Sequence, residues 1–195
     1  GKKGDTKIDF STYLSFTNVA KKLGLLNAAE YKSVHKQMYE NYLTQYPNAD
    51  VMMPSFVTSN TGVDTDWQDT MLRNGISQNY MFSIRGGSEN AQSSISYNHA
   101  DEKGIFLGNN HRQDNARLKL HLTKSIFDVD ANIGFKFTDS DQPQYSIKEM
   151  YMISPLVPVY DESREYGFGL SDFDDLPSNR NVMADHHYVT ASNKK

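Results

Sequence analysis

The stretch Phe127-Asp128-Val129-Asp130-Ala131-Asn132-Ile133-Gly134-Phe135-Lys136-Phe137-Thr138 places every apolar side chain at an odd position and a polar residue or glycine at every even one. Only an extended chain has a two-residue side-chain period, so this run is an amphipathic β-strand. A dozen residues is roughly twice the usual globular strand and matches the reach a tilted strand needs to cross a bilayer. Length and alternation together make a membrane barrel wall the first hypothesis.

Four further runs share the period. Ile8, Phe10, Thr12, Leu14 and Phe16 line one face of residues 6–17, against Lys7, Asp9, Ser11, Tyr13 and Ser15. Tyr80, Phe82 and Ile84 mark a strand over 79–86, Ile95 and Tyr97 one over 93–106, and Ala116, Leu118, Leu120 and Leu122 one over 115–124. The expected fold is mainly β: an antiparallel meander of about five long amphipathic strands, with 127–138 the last, and long helix-containing loops over 18–78 and 139–195. Gly86-Gly87-Ser88-Glu89-Asn90 and the residues around Ser125 supply tight turns, whereas the other connections are long. That asymmetry is the one of outer-membrane barrels, whose turns are periplasmic and whose loops are extracellular. It predicts Gly87 and Ser125 at the periplasmic end and 19–78, 108–114 and 141–195 at the cell surface. Five strands cannot close a membrane barrel, for which about eight is the minimum, so the chain is expected to be a piece of a larger one. A soluble β-sheet protein shares the two-residue period, which keeps a soluble all-β glycan-binding or other extracytoplasmic domain as the alternative.

Composition narrows the setting. The chain has 195 residues, 37 % of them hydrophobic, and a mean hydropathy of −0.66. No apolar run approaches the roughly 20 residues of a membrane helix, while alternating wall strands would not register on that test. A formal charge of −4 with scattered basic residues argues against nucleic acid. The absence of cysteine removes disulfides, thiol catalysis and cysteine-based zinc sites.

Between the strands, Asn27 with Glu30 three residues on has the spacing of a capping box, and Tyr31, Val34, Met38 and Tyr42 recur at helical intervals, which predicts a helix ending before Tyr46-Pro47. Residues from there to Gln78 read as loop. Tyr145 to Ile153 reads as a short helix stopped by Pro155 and Pro158, and Tyr166 to Leu170 with Asp172, Asp174 and Asp175 reads as an exposed acidic loop. Trp67 offers either a sugar-stacking platform or a buried loop anchor. His186-His187, read as extended chain, would point to opposite faces, and no third ligand accompanies them, so no metal site is assigned. No arrangement of Ser, His, Asp or paired carboxylates singles out a catalytic residue or a cofactor site, and the chain is not expected to be an enzyme.

Leu25-Leu26-Asn27-Ala28-Ala29-Glu30-Tyr31, Thr65-Asp66-Trp67-Gln68-Asp69, Asn79-Tyr80-Met81-Phe82-Ser83-Ile84-Arg85-Gly86-Gly87-Ser88 and Ser154-Pro155-Leu156-Val157-Pro158-Val159-Tyr160-Asp161 follow one another in an order that resembles the SusC/RagA-like TonB-dependent transporters of Bacteroidetes. Gly1-Lys2-Lys3-Gly4 looks like the end of a plug domain entering the first barrel strand. The resemblance implies an outer-membrane barrel of about 22 strands around an N-terminal plug. It further implies energisation by the TonB complex through the plug and TonB box, a SusD-like surface lipoprotein as lid, and import of oligosaccharide or peptide substrates. This chain would supply the first five strands, its apolar face against outer-membrane lipid. Trp67, Tyr160, Tyr166 and Phe168 are then the candidate contacts to ligand or lid.

Overall fold

The computed structural model describes residues 4–193. The chain divides into two compact units, one formed by residues up to Val19 with Arg73–Gln142, the other by Ala20–Leu72 with the residues from Pro143 onward.

The first unit is a single five-stranded antiparallel sheet: β1 (Gly4–Thr17), β2 (Gly75–Gly87), β3 (Ala91–Lys103), β4 (Asn110–Lys124) and β5 (Phe127–Asp141), paired in sequence order. Strands of 13 to 15 residues confirm the unusual length. The register carries whole rows of like side chains across the sheet, since directly paired residues point to the same face. Ile8, Ile84, Ile95, Leu118 and Ile133 form one complete row, and Phe10, Phe82, Tyr97, Ala116 and Phe135 the next. Leu14, Tyr80, Leu120, Leu122, Val129 and Phe137 lie on the same face, so the side chains expected together are together. The opposite face reads Asp9, Ser83, Ser96, Arg117, Gly134 and Ser11, Met81, Asn98, Asn115, Lys136 along two of its rows.

Two turns join the strands at one end. Gly87 has φ 153, and a Cβ there would lie 2.2 Å from the Ala91 carbonyl oxygen, so only glycine fits. Between β4 and β5 the turn is the pair Ser125-Ile126, with Ser125 at φ 58 in the first central position, a conformation that hairpin turns usually give to glycine. At the other end β3 and β4 are joined by residues 104–109. The polar stretch Gly108 to Asp114, expected as a loop, is strand from Asn110 on: Asn110 pairs with Lys103 and Asp141, and Asp114 with His99 and Phe137. β2 likewise starts at Gly75 rather than at Asn79.

The second unit holds all the buried apolar side chains found among the described residues: Phe56, Trp67, Met71, Met150, Leu156, Val157 and Val182 are its most enclosed members. Five helices shape it: α1 (Ala28–Gln45), α2 (Ser55–Thr58), α3 (Trp67–Met71), α4 (Ile147–Met152) and α5 (Val182–Asn193). The α1 capping box is present, with Asn27 Oδ1 accepting from Glu30 N–H at 2.9 Å and Glu30 Oε2 from Asn27 N–H at 3.0 Å. The helix ends at Tyr46, as the following proline requires. Its packed line is Ala28, Tyr31, His35, Tyr39 and Leu43, not the expected stripe. Of that stripe only Tyr31 is partly buried, against His35 and Phe56, whereas Val34, Met38 and Tyr42 are exposed. No described helix is long and apolar enough to cross a membrane.

Candidate functional site

Three of the four candidate contacts converge. Residues 160–168 fold as a small hairpin in which Tyr160 bridges Phe168, Gly169 N–H donates to Val159 O at 3.1 Å, and Asp161 N–H donates to Gly167 O at 3.0 Å. Gly167, at φ 72, makes the reversal possible. Asp161 organises the tip: it accepts from Ser163 N–H at 3.0 Å, from Ser163 Oγ at 2.6 Å and from Arg164 Nε at 3.2 Å. Those bonds, the Ser163 hydroxyl first, hold its carboxyl below the usual carboxylate range. Arg164 then reaches Asp172 at 2.7 Å, tying the tip to the next segment.

Asn181 anchors the hairpin from α5. Its side chain is buried, its amide nitrogen donates at 2.8 Å to the carbonyls of Val159 and Gly169, and its oxygen accepts from Met183 N–H and Ala184 N–H as an N-cap. Helix start and hairpin are therefore fixed by one residue, which the sequence reading passed over. An asparagine standing just ahead of Val182-Met183-Ala184-Asp185, as an N-cap residue stands before a helix, was the available signal.

On this frame five rings form a continuous surface. Phe168 lies at the centre with Tyr160 at 5.8 Å, His187 at 5.3 Å and Tyr188 at 5.7 Å, and Tyr166 joins through Tyr188 at 5.8 Å. Tyr160 and Tyr166 are 63 % and 68 % exposed while Phe168 is half-buried, so the outer rings offer their faces to solvent. Burial, with Tyr166 and Glu165 adding to it, pushes the Tyr188 phenol up. Such a surface can stack on the apolar faces of sugar rings or pack against a protein partner. His186 and His187 lie in α5, not in extended chain, and His187 serves as one of the rings.

Trp67 is elsewhere and only 2 % exposed. Its indole N–H donates to Ser154 O at 3.2 Å, and Thr65 next to it donates from its backbone to Pro155 O and from its hydroxyl to Val157 O. It anchors its loop to the Ser154 segment. Beside it, Gln68 exchanges two hydrogen bonds with the backbone of Leu23, and Lys22 pairs with Asp69, whose carboxyl that contact lowers. Lys22, Leu23, Thr65, Trp67 and Gln68 border a recess of about 510 Å³ in the second unit.

In the sheet, His121, Asp128 and Asp130 bring three possible ligand atoms within 4.8 Å at the turn end of the polar face. His121 Nδ1 lies 2.9 Å from Asp130 Oδ1, so the carboxylates already serve the imidazole as partners.

No protein-family model matches the chain. It is 27 % identical over 176 residues to the TonB-dependent receptor SusC of Bacteroides thetaiotaomicron, an alignment that covers 86 % of this chain and 16 % of that receptor. It is 27 % identical over 138 residues to the TonB-dependent receptor P3 of Formosa agariphila, covering 69 % and 12 %. The chain spans less than a fifth of the length of these curated relatives. The resemblance read from motif order is borne out by two relatives that are named TonB-dependent receptors, SusC among them.

Proposed function

We propose that this chain is wall and surface loop of a SusC-like TonB-dependent receptor of the bacterial outer membrane, which imports glycans or other oligomeric nutrients. The observation that carries the reading is the two-sided sheet. Two complete rows of five strands are apolar on one face, and the other face is polar. From Phe127 to Phe137 the last strand runs ten residue steps, roughly 33 Å; tilted by about 40° it spans about 25 Å, the height of the apolar band of an outer-membrane barrel. Phe10 and Phe135, 67 % and 72 % exposed, are where lipid would meet the wall, whereas a soluble sheet protein would bury such a face.

The surface loops then carry specificity. Tyr160, Tyr166 and Phe168 are the contacts proposed for ligand or for a SusD-like lid, with the exposed line Val34, Met38 and Tyr42 of α1 as a second apolar surface for the lid. TonB would act through the plug and TonB box that this family carries before its barrel. Proteolysis of intact cells that express the full-length receptor tests the orientation. Cleavage within 160–175 with the Gly87 turn protected is expected; cleavage confined to Gly87 would overturn it.

A further inference from the structure

The ring surface on the 160–168 hairpin stands in a strongly negative stretch of chain. Residues 160–188 carry seven carboxylates against two arginines, an excess greater than the net −4 of the whole chain. Both arginines are already engaged. Arg164 holds Asp161 at 3.2 Å and Asp172 at 2.7 Å, and Arg180 holds Glu149 and Asp185 at 2.6 Å each. Glu162 and Glu165 are exposed at the hairpin tip and form no ion pair among the described residues. Glu162 stands two residues after Tyr160. Glu165 precedes Tyr166 and lies near enough to Tyr188 for its charge to act on that phenol. Open rings and carboxylates without a counter-ion therefore share one surface.

The rings do not lie in one plane. Tyr166 crosses Tyr188 at 88°, His187 crosses Tyr188 at 85°, and Phe168 crosses it at 67°. A sugar chain stacks along rings laid side by side, which crossed rings do not supply. They offer separate faces instead, each the size of one guanidinium or ammonium, and the ring quadrupole attracts a cation placed over such a face. Tyr160 and Tyr166 hold theirs open to solvent. A cation there also meets carboxylates, which strengthens its hydrogen bonds. Because Asn181 and the Arg164–Asp172 pair already fix the hairpin, little ordering is left for a ligand to impose.

We propose that this surface binds the arginine and lysine side chains of a basic peptide, with a guanidinium or ammonium over the Tyr160 and Tyr166 faces and Glu162 and Glu165 as counter-ions. The inference rests on the reading of the 160–168 hairpin as a cell-surface ligand contact, and it narrows the oligomeric solute to a positively charged peptide.

The test titrates the full-length receptor in detergent, at low ionic strength, with an alanine–arginine hexapeptide, with the same peptide carrying glutamine for arginine, and with maltohexaose. The arginine peptide is expected to bind at least about tenfold more tightly than the glutamine peptide, with an affinity that falls as salt is raised. Glu162→Gln with Glu165→Gln should weaken that binding about three- to tenfold. Tyr160→Leu with Tyr166→Leu should weaken it about five- to thirtyfold, whereas Tyr160→Phe with Tyr166→Phe keeps the ring faces and should hold it within about twofold. Equal binding of the two peptides, tighter binding of maltohexaose, or variants that leave binding unaltered overturns the proposal. Labelling of a Tyr166→Cys receptor on intact cells by a membrane-impermeant maleimide, compared with the parent, reports separately on the surface reading. Labelling without peptide binding overturns the proposal alone; no labelling removes the surface reading and the proposal with it. Labelling that appears only in cells deleted for a capping lipoprotein makes a lid the occupant and overturns the proposal as well.

Discussion

The Asp175 carboxylate accepts hydrogen bonds from both the backbone N–H (2.5 Å) and the hydroxyl (2.9 Å) of Ser55, 120 residues earlier in the chain. It thereby acts at the start of α2 and ties the two long loops to each other. The backbone N–H first, and the hydroxyl with it, hold the carboxyl below its usual range. A carboxyl whose folded value is depressed stabilises the fold above its unfolded value, near 3.9, and loses that contribution as pH falls through the folded one. Asp175→Asn should cost about 1 kcal/mol, the site being exposed and screened. Hydrogen exchange at residues 55–59 checks it: the parent should loosen below about pH 4, and the variant should be looser at neutral pH and flat across that window.

Asn181→Ala removes both the α5 cap and the bonds to Val159 and Gly169. Buried carbonyls left without donors put the loss at about 2–3 kcal/mol, felt locally in the 160–168 hairpin. Trypsin cleavage after Arg164 in the full receptor should accelerate by more than tenfold, and binding that depends on the Tyr160, Phe168 and Tyr188 surface should weaken in parallel. Unchanged cleavage would mean that the hairpin is held by Asp161 and Arg164 alone.

The wall was legible in the sequence because water sorts its two faces. Phe127 to Thr138 could be read residue by residue, and keeping every apolar side chain on one side fixed the shared face, while the pairing of particular residues came only with the structure. Where both faces are polar the signal vanishes. Asn110, Arg112 and Asp114 alternate with His111 and Gln113, so the start of β4 read as loop, and the start of β2 was missed because a single apolar residue, Ile76, among Gly75, Ser77 and Gln78 makes no period. The second unit was harder still. Its core joins single apolar residues from distant segments, as in the Trp67 bond to Ser154, and isolated residues carry no period. The α1 helix was visible from its cap and spacing. Its buried side was not, because the packed line Tyr31, His35 and Tyr39 is no more apolar than the exposed line Val34, Met38 and Tyr42. The rings that Tyr160, Tyr166 and Phe168 share with α5 needed that helix to be recognised first.

Opposite faces of β5 should respond oppositely to charge. Phe135→Arg places a cation in the apolar row formed with Ala116, where a mid-bilayer position costs about 2–4 kcal/mol. Asn132→Arg, on the polar face beside Lys119, should cost little beyond local repulsion. The folded fraction of the full-length receptor in lipid vesicles, read as heat-modifiable mobility, separates them. Equal losses would contradict a lipid-facing side.

Ser125 is the only described non-glycine residue with positive φ. Ser125→Gly should stabilise the β4–β5 hairpin by about 0.5–1 kcal/mol, and Ser125→Val should destabilise it by about 1–2 kcal/mol, since a branched side chain tolerates that conformation poorly. Refolding of the receptor from urea into detergent micelles, compared at equal concentration, gives the order Gly, Ser, Val.

The 195-residue chain by itself should self-associate in water. β1 and β5 are the outer strands of the sheet, so each offers one row of backbone N–H and C=O groups with no neighbouring strand. In a barrel those rows pair with further strands; in isolation they invite a second copy. The apolar face adds to this: Ile8, Phe10, Phe135 and Phe137 are exposed on strands that run the full height of the sheet, and a continuous apolar patch of that extent promotes association. The second unit brings its own buried core and does not depend on closing the sheet to form. Light scattering without detergent should therefore report oligomers that retain helical and strand signals, and detergent should disperse them by covering the apolar face. A stable monomer with cooperative unfolding in water would overturn the wall reading and return the chain to the soluble all-β alternative.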